Sequence, residues 1–226
     1  YEAARTRVLL AEAARAAGDR EAARLELGAA RSAFDRLGAN LDLRQVEDLL
    51  RESDKAGPVA RVVRTFMFTD IVRSTNLVEA IGDEAWEDLV GWHDRTLRAL
   101  FAEHGGEEVD HAGDGFFVAF EDARSAVDCA MAIQRSLADH RRQHGFAPQV
   151  RIGLHAAEAT ERAGDYAGRG VHQAARVGAL AEGGEILATE ETAAAAGTPG
   201  SDGRRVSLRG IAEPVRVVTV DWRGAS

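Results

Sequence analysis

Two carboxylates are spaced so that a metal-bound phosphate could use them, Asp70 and Asp114, and a third acid, Asp110, lies four residues before Asp114. Asp70 closes the hydrophobic run "RVVRTFMFTD" and precedes "IVRST", in which Ser74 and Thr75 are placed to cap a following helix. The free N–H groups and dipole of a helix N-terminus take phosphate oxygens, and a carboxylate beside them takes the cation. Asp114 stands between Gly113 and Gly115 in "EVDHAGDGFFVAF", at the tip of an otherwise apolar hairpin. A strand–helix–hairpin order lays that hairpin beside the first strand, so Asp70 and Asp114 should approach each other. Two hard oxygen ligands that share Mg²⁺ ions are what in-line phosphoryl chemistry needs. Spacing alone leaves a second reading open, in which both are surface turn acids.

The elements that must position these groups begin at Arg61, where the pattern changes. "RVVRTFMFTDIV" is a β-rich run, and a helix is expected over roughly Thr75 to Glu103. "GGEEVDHAGDGFFVAFED" reads as two short strands around a Gly-Asp-Gly turn. A second helix spans roughly Ala123 to His144, with Ala126, Ala130, Ile133 and Leu137 on one stripe. "PQVRIGLHAA" is a strand, "GRGVHQAARVGALA" enters a helix, and "GEILAT" and "EPVRVVTVDW" supply late strands. The resulting β-α-β-β-α-β order predicts an α+β fold, a ferredoxin-like, palm-like sheet with helices on one face.

Residues 1–53 are different: Ala, Arg, Glu and Leu at helical spacing, with no strand signal. Gly18-Asp19 breaks a first helix, a second runs to Leu37 and is closed by Gly38, and a third covers roughly Leu43 to Glu52. Ala23, Leu27, Ala30, Phe34 and Leu37 form one stripe of the second helix. The turn "AAGDREAA" resembles the second half of a tetratricopeptide repeat. A plain helical hairpin fits the same residues. Residues 54–60, with Gly57 and Pro58, read as a linker to a domain over 61–226.

Composition bounds the partners. A chain of 226 residues, 45% hydrophobic and 29% charged, suits a globular domain of ordinary size with a small companion. The formal charge of -9 argues against a general affinity for nucleic acid or an anionic membrane face. It leaves room for a nucleotide bound through cations, which reverse the local sign. No run approaches the eighteen or so apolar residues of a spanning helix, and no signal peptide is visible. The single cysteine, Cys129 in "AVDCAMAI", reads as a small buried apolar residue and fits a cytoplasmic protein. A start on Tyr1 in mid-helix suggests a piece of a longer protein.

"FTDIVRST", "AGDGFFVAF", "RIGLH" and "GDYAGRGVHQAAR", in this order, resemble the catalytic domain of class III nucleotide cyclases. The resemblance runs from about Arg61 to the C-terminus, nearly three quarters of the chain. It implies conversion of a nucleoside triphosphate, ATP before GTP, to a cyclic nucleotide and pyrophosphate. It also implies two divalent ions, Mg²⁺ or Mn²⁺, and an antiparallel homodimer whose sites are each built from both chains. By the resemblance, Asp70, Asp114 and the Ile71 carbonyl hold metal, and Arg176 steadies charge on the α-phosphoryl group. Asp165 matches the residue that accepts from the adenine amino group.

Two positions depart from the family pattern. His172 stands where the family usually has Asn, and can still donate to ribose or phosphate. Asp110 stands where adenylyl cyclases have a lysine that donates to adenine N1, so the sign of the contact is inverted. No common base satisfies two ionised aspartates at once. Holding a carboxylate protonated at neutral pH costs on the order of 4 kcal/mol. Losing a charge-assisted bond and gaining a repulsive one costs about 3 kcal/mol, over a hundredfold in selection. The expectation is a cyclase with intact metal chemistry and relaxed base choice. The alternatives are a degenerate domain that binds metal–nucleotide as a regulatory module, one half of a heterodimer, and, for Asp110, a solvated strand-end acid. The N-terminal helices could bind a protein partner. His140 and His144 lie one helical turn apart with no evident third ligand, and read as a solvated helix end. Trp86 and Trp92 read as packing or dimer residues, and Arg209 as either a triphosphate contact or a surface residue.

Overall fold

The computed structural model describes residues 1–17, 19–54, 60–162, 164–198, 200–211 and 213–224. Gly18 and most of the expected linker, residues 55–59, lie outside them. Helices α1 (Glu2–Ala16), α2 (Arg20–Leu37) and α3 (Asn40–Asp54) share a core of Ala4, Ala11, Ala23, Leu27, Ala30, Phe34 and Val46. Asp19 caps α2 by accepting from the Ala22 N–H at 2.9 Å, and Gly38 ends it with a left-handed φ of 65°. The stripe predicted along α2 is buried except for Leu37, which is exposed as the last residue before the cap. α3 starts three residues before the expected Leu43. This unit, residues 1–59, is one of two into which the chain divides; the other is 60–226.

In the second unit, β1 (Ala60–Ile71) buries both Phe66 and Met67. Neighbouring strand residues point to opposite faces, so β1 needs cover on both sides and a central place in the sheet. The chain continues through α4 (Ser74–Ile81), α5 (Asp83–Glu103), β2 (Glu107–Ala112), β3 (Gly115–Phe120) and α6 (Ala123–His144). It ends with β4 (Val150–Arg162), β5 (Asp165–Ala167), α7 (Arg169–Leu180), β6 (Ile186–Thr189), α8 (Glu190–Ala195), β7 (Ser201–Val206) and β8 (Val215–Thr219). The sheet order is β2-β3-β1-β4-β6-β8-β7, with β5 paired to β4. β1 runs antiparallel to both neighbours, β3 and β4.

Three expectations are corrected. The helix over Thr75–Glu103 is two helices, because Gly82 at φ 83° and ψ 162° ends α4 and starts α5. Helices do not keep to one face. Met67, Phe116, Val118, Ile152 and Ile186 face a core shared with residues of α5, α6 and α8, while Phe66, Phe117, Leu187 and Val217 face α7 and its surroundings. α7 can lie close because Gly153 of β4 meets Gly178 there; a Cβ at Gly153 would sit 2.1 Å from the Gly178 nitrogen. Third, α8, β5 and β7 have no counterpart in the sequence reading. The stripe expected on α6 is buried throughout, between the Asp122 cap and a left-handed Gly145.

Candidate functional site

Asp70 stands at the end of β1, opposite Arg151 in the register with β4. The guanidinium donates to one carboxylate oxygen, Oδ2, from Nε at 2.9 Å and from Nη2 at 2.5 Å. Its other nitrogen reaches the Ala179 carbonyl near the C-terminal end of α7, at 3.2 Å. Oδ1 of Asp70 points toward the hairpin: a Cβ added to Gly115 would lie 3.7 Å from it and 2.8 Å from the Thr69 carbonyl. Gly115 therefore has to be glycine for the hairpin to come this close. The Phe116 N–H donating to Thr69 Oγ1 at 3.2 Å ties the two together.

After Ile71 the chain turns through Arg73, whose φ of 58° is the sole positive value at a non-glycine among the described residues. Such a conformation is sparsely populated outside glycine and asparagine and is held by its surroundings. It makes Arg73 the N-cap of α4, with no side chain capping the first turn. This corrects the expectation for Ser74 and Thr75: they are the first two residues of the helix, not its caps. The first-turn N–H groups are consequently left without a side-chain acceptor.

The β2–β3 turn has two residues, Gly113 and Asp114, between the paired Ala112 and Gly115. Gly113 takes φ 66° and Asp114 stays at negative φ, the pattern of a II′ hairpin turn. Burial raises the Asp114 carboxyl above the usual carboxylate range; a Ser74 hydroxyl lowers it, and the Asp70 charge raises it further. Its Oδ2 is buried without a hydrogen bond. The structure thus brings Asp70 and Asp114 together as the spacing predicted. Two adjacent carboxylates, one with no cationic partner among the described residues, fit a divalent cation held between oxygen ligands. No group of three or more His, Cys, Asp or Glu could hold a metal among the described residues, so remaining ligands would have to be backbone, substrate or water oxygens.

Asp110 lies on β2, opposite Phe117, just after a bulge at Val109. It is exposed, accepts from the His111 N–H at 2.9 Å, and lines a cavity of about 270 Å³ with Asp70, Phe68, Phe117 and Arg151. The rings of Phe68 and Phe117 stack there with centroids 4.5 Å apart. The remaining predicted residues are not gathered into this cavity. His172 is exposed on α7. Arg176, one turn further along, has its guanidinium against Gly210, with Nη2 3.4 Å from the position of an added Cβ. Asp165 is exposed on β5 and accepts from the Tyr166 N–H at 2.9 Å.

Sequence reasoning did not single out Arg151, whose signal lies only in its cross-strand register with Asp70. Trp92 packs against the α5–α6 core and stacks on His140 at 3.8 Å, and Trp86 packs on the same core. Cys129 is fully buried, and burial pushes its thiol up to about 12. Arg209 is exposed in the connection from β7 to β8. No helix among the described residues is long and apolar enough to cross a membrane.

Comparison with known proteins bears on the whole second unit. Residues 61–213 match the family described as the adenylate and guanylate cyclase catalytic domain. The chain is 29% identical over 215 residues to a receptor-type adenylate cyclase of Trypanosoma congolense, covering 74% of this chain and 29% of that protein. It is 31% identical over 131 residues to an uncharacterized protein of Mycobacterium tuberculosis, covering 57% and 43% respectively. The chain thus spans less than half the length of these relatives. The solved adenylyl cyclase CyaB from P. aeruginosa superposes with a TM-score of 0.65 at 25% identity, over 73% of this chain and 96% of that one. The guanylyl cyclase Cya2 gives 0.66 at 23% identity, over 73% and 94%, a likeness of fold.

Proposed function

The chain belongs to the adenylate and guanylate cyclase catalytic domain family, and we propose that it converts a purine nucleoside triphosphate, ATP before GTP, to the 3′,5′-cyclic nucleotide and pyrophosphate. The observation that carries this reading is the meeting of Asp70 and Asp114 beside the uncapped first turn of α4. Asp70, Asp114 and the Ile71 carbonyl would hold two divalent ions, Mg²⁺ or Mn²⁺. Bound there, such ions neutralise the triphosphate and make the ribose 3′-hydroxyl more acidic.

The N–H groups opening α4, with Ser74 and Thr75, take phosphate oxygens. The ribose 3′-oxygen attacks the α-phosphorus in line. The bond from that phosphorus to the bridging oxygen breaks, pyrophosphate leaves with the electron pair, and the hydroxyl proton passes to solvent. Arg176 spreads its guanidinium over charge developing on the α-phosphoryl group. His172 donates to ribose or phosphate, and Asp165 accepts from the adenine amino group. In the shared-site arrangement that the family resemblance implies, each complete site takes His172, Arg176 and Asp165 from a second copy of the chain. The working form is a cytoplasmic homodimer with two shared sites, and the N-terminal helices, which are tetratricopeptide-like, offer a surface to a protein partner.

Asp110 relaxes base selection in this scheme. It also favours a second reading, a domain that binds metal–nucleotide with little turnover, or that completes its base contact with a lysine from a different chain. Turnover of radiolabelled ATP and GTP with Mn²⁺ tests the first against the second. The expected result is cyclic nucleotide formed by the wild type and lost by about two orders of magnitude in Asp70→Asn and Asp114→Asn. Wild-type turnover no higher than in those variants would overturn the enzymatic reading.

A further inference from the structure

On the face of the sheet covered by α5, polar groups are buried that the chemistry above does not use. His93 is completely buried and Asp94 nearly so. Burying an imidazole against a carboxylate is costly unless both find partners. Asp94 acts as the hub. Its Oδ1 lies 3.1 Å from His93 Nδ1, while Oδ2 lies 3.3 Å from His111 Nε2 and 3.5 Å from Arg98 Nη1. Arg98 grips Glu108 of β2 through two nitrogens, at 2.7 and 2.9 Å, and lies over the Phe116 ring of β3 at 5.0 Å. Helix α5 therefore holds both strands of the hairpin on either side of the turn that carries Asp114.

Three buried atoms in this region lack a hydrogen bond: Nε2 of His93, Nε2 of His111, which has the Asp94 carboxylate beside it, and Oδ2 of Asp114. Folded proteins seldom leave such groups unmatched, since each forfeits its hydration. His93 lies 6.0 Å by ring centroid from Phe116, two residues after Asp114, and the Asp114 carboxylate and the His93 ring each act electrostatically on the other. With Asp94 engaging Nδ1, Nε2 is directed to the opposite side of the ring. An acid–imidazole pair behind a metal-binding group is how proteins fix ligand orientation from outside.

We propose that His93, oriented by Asp94, is the positioning residue for Asp114. It engages the buried Oδ2 through one bound water, and so leaves the other carboxylate oxygen to face the cation. This rests on the reading of Asp114 as a metal ligand.

The test is Mn²⁺ binding in the absence of nucleotide, followed by the electron paramagnetic resonance of the free ion, with thermal unfolding of the same samples. His93→Leu keeps the volume and removes the nitrogens; His93→Gln keeps an N–H near the place of Nε2. His93→Leu should weaken Mn²⁺ binding about tenfold or more, and His93→Gln should recover most of that loss. A folded His93→Leu protein that binds Mn²⁺ as tightly as wild type overturns the proposal. Should His93→Leu not fold, Asp94→Asn replaces it, with weaker Mn²⁺ binding expected and wild-type binding again overturning the idea. Wild-type protein that binds no Mn²⁺ would bring down the metal reading itself, a failure distinct from the first.

Discussion

Asp110 faces the same cavity as Asp70, beside the stacked rings of Phe68 and Phe117, and one of its oxygens is already taken by the His111 N–H. An aromatic surface of this kind accepts the flat face of any base, so discrimination must come from groups at the edge. A carboxylate there repels the N1 lone pair of adenine, whereas an ammonium would donate to it. Asp110→Lys should therefore raise ATP turnover with Mn²⁺ about tenfold or more, and raise the preference for ATP over GTP. The comparison is initial rates on the two substrates; an unchanged or lower ATP rate would show that residue 110 does not reach the base. Asp70 and Asp114 were legible because the motif spacing and strand order alone bring them together. Arg151 was not, because its role depends on which residue of β4 lies opposite Asp70, and that register is fixed by pairing along the whole strand.

At the scale of elements, the approach of α7 to β4 deserves a quantitative test, because α7 carries His172 and Arg176. A Cβ at Gly153 would stand 2.1 Å from the Gly178 nitrogen and 2.2 Å from its Cα, backbone atoms that can yield only if the helix moves. At Gly178 the nearest atom would be Phe68 Cβ at 3.4 Å, which slight adjustment accommodates. Gly153→Ala should cost about 1–3 kcal/mol or more and depress turnover by displacing Arg176. Gly178→Ala should be near neutral, because alanine's better helix propensity, about 1 kcal/mol, offsets the tight contact. Urea unfolding of both variants checks the pair, and equal losses would refute it. Such close crossings are hard to see in sequence, where Gly153 in "RIGLH" looks like a weak strand residue. The hairpin and α6 were legible, since a Gly-Asp turn and an Asp122-to-Gly145 capped stripe state their own boundaries. The break at Gly82 was concealed by helical spacing on both sides, and β7, "SDGRRV", has too few apolar residues to mark it as a strand.

At the scale of the whole molecule, stability and activity should respond to different groups. His155 is buried, its Nδ1 lies 3.1 Å from Thr189 Oγ1, and burial holds its pKa down at about 4. A histidine neutral when folded but free to protonate when unfolded stabilises the fold fully above its unfolded pKa, near 6.5. That contribution, about 3 kcal/mol, is lost as pH falls from there toward 4. Urea unfolding of wild type and His155→Gln across this range should show a shallower pH dependence in the variant; parallel curves would contradict the assignment. Activity should depend on two chains. In the proposed scheme Asp70→Asn removes only a metal ligand, and Arg176→Ala removes only the phosphoryl contact. If each site draws Asp70 from one copy and Arg176 from the other, each variant alone is inactive at both sites. In an equal mixture half of the dimers are mixed, and one of the two sites in each mixed dimer is intact. Exchange should then restore about a quarter of wild-type turnover, a proportion set by the two-fold symmetry of the interface. A mixture no more active than its components, under conditions where chain exchange is verified by differently tagged subunits, would mean that one chain builds its own site.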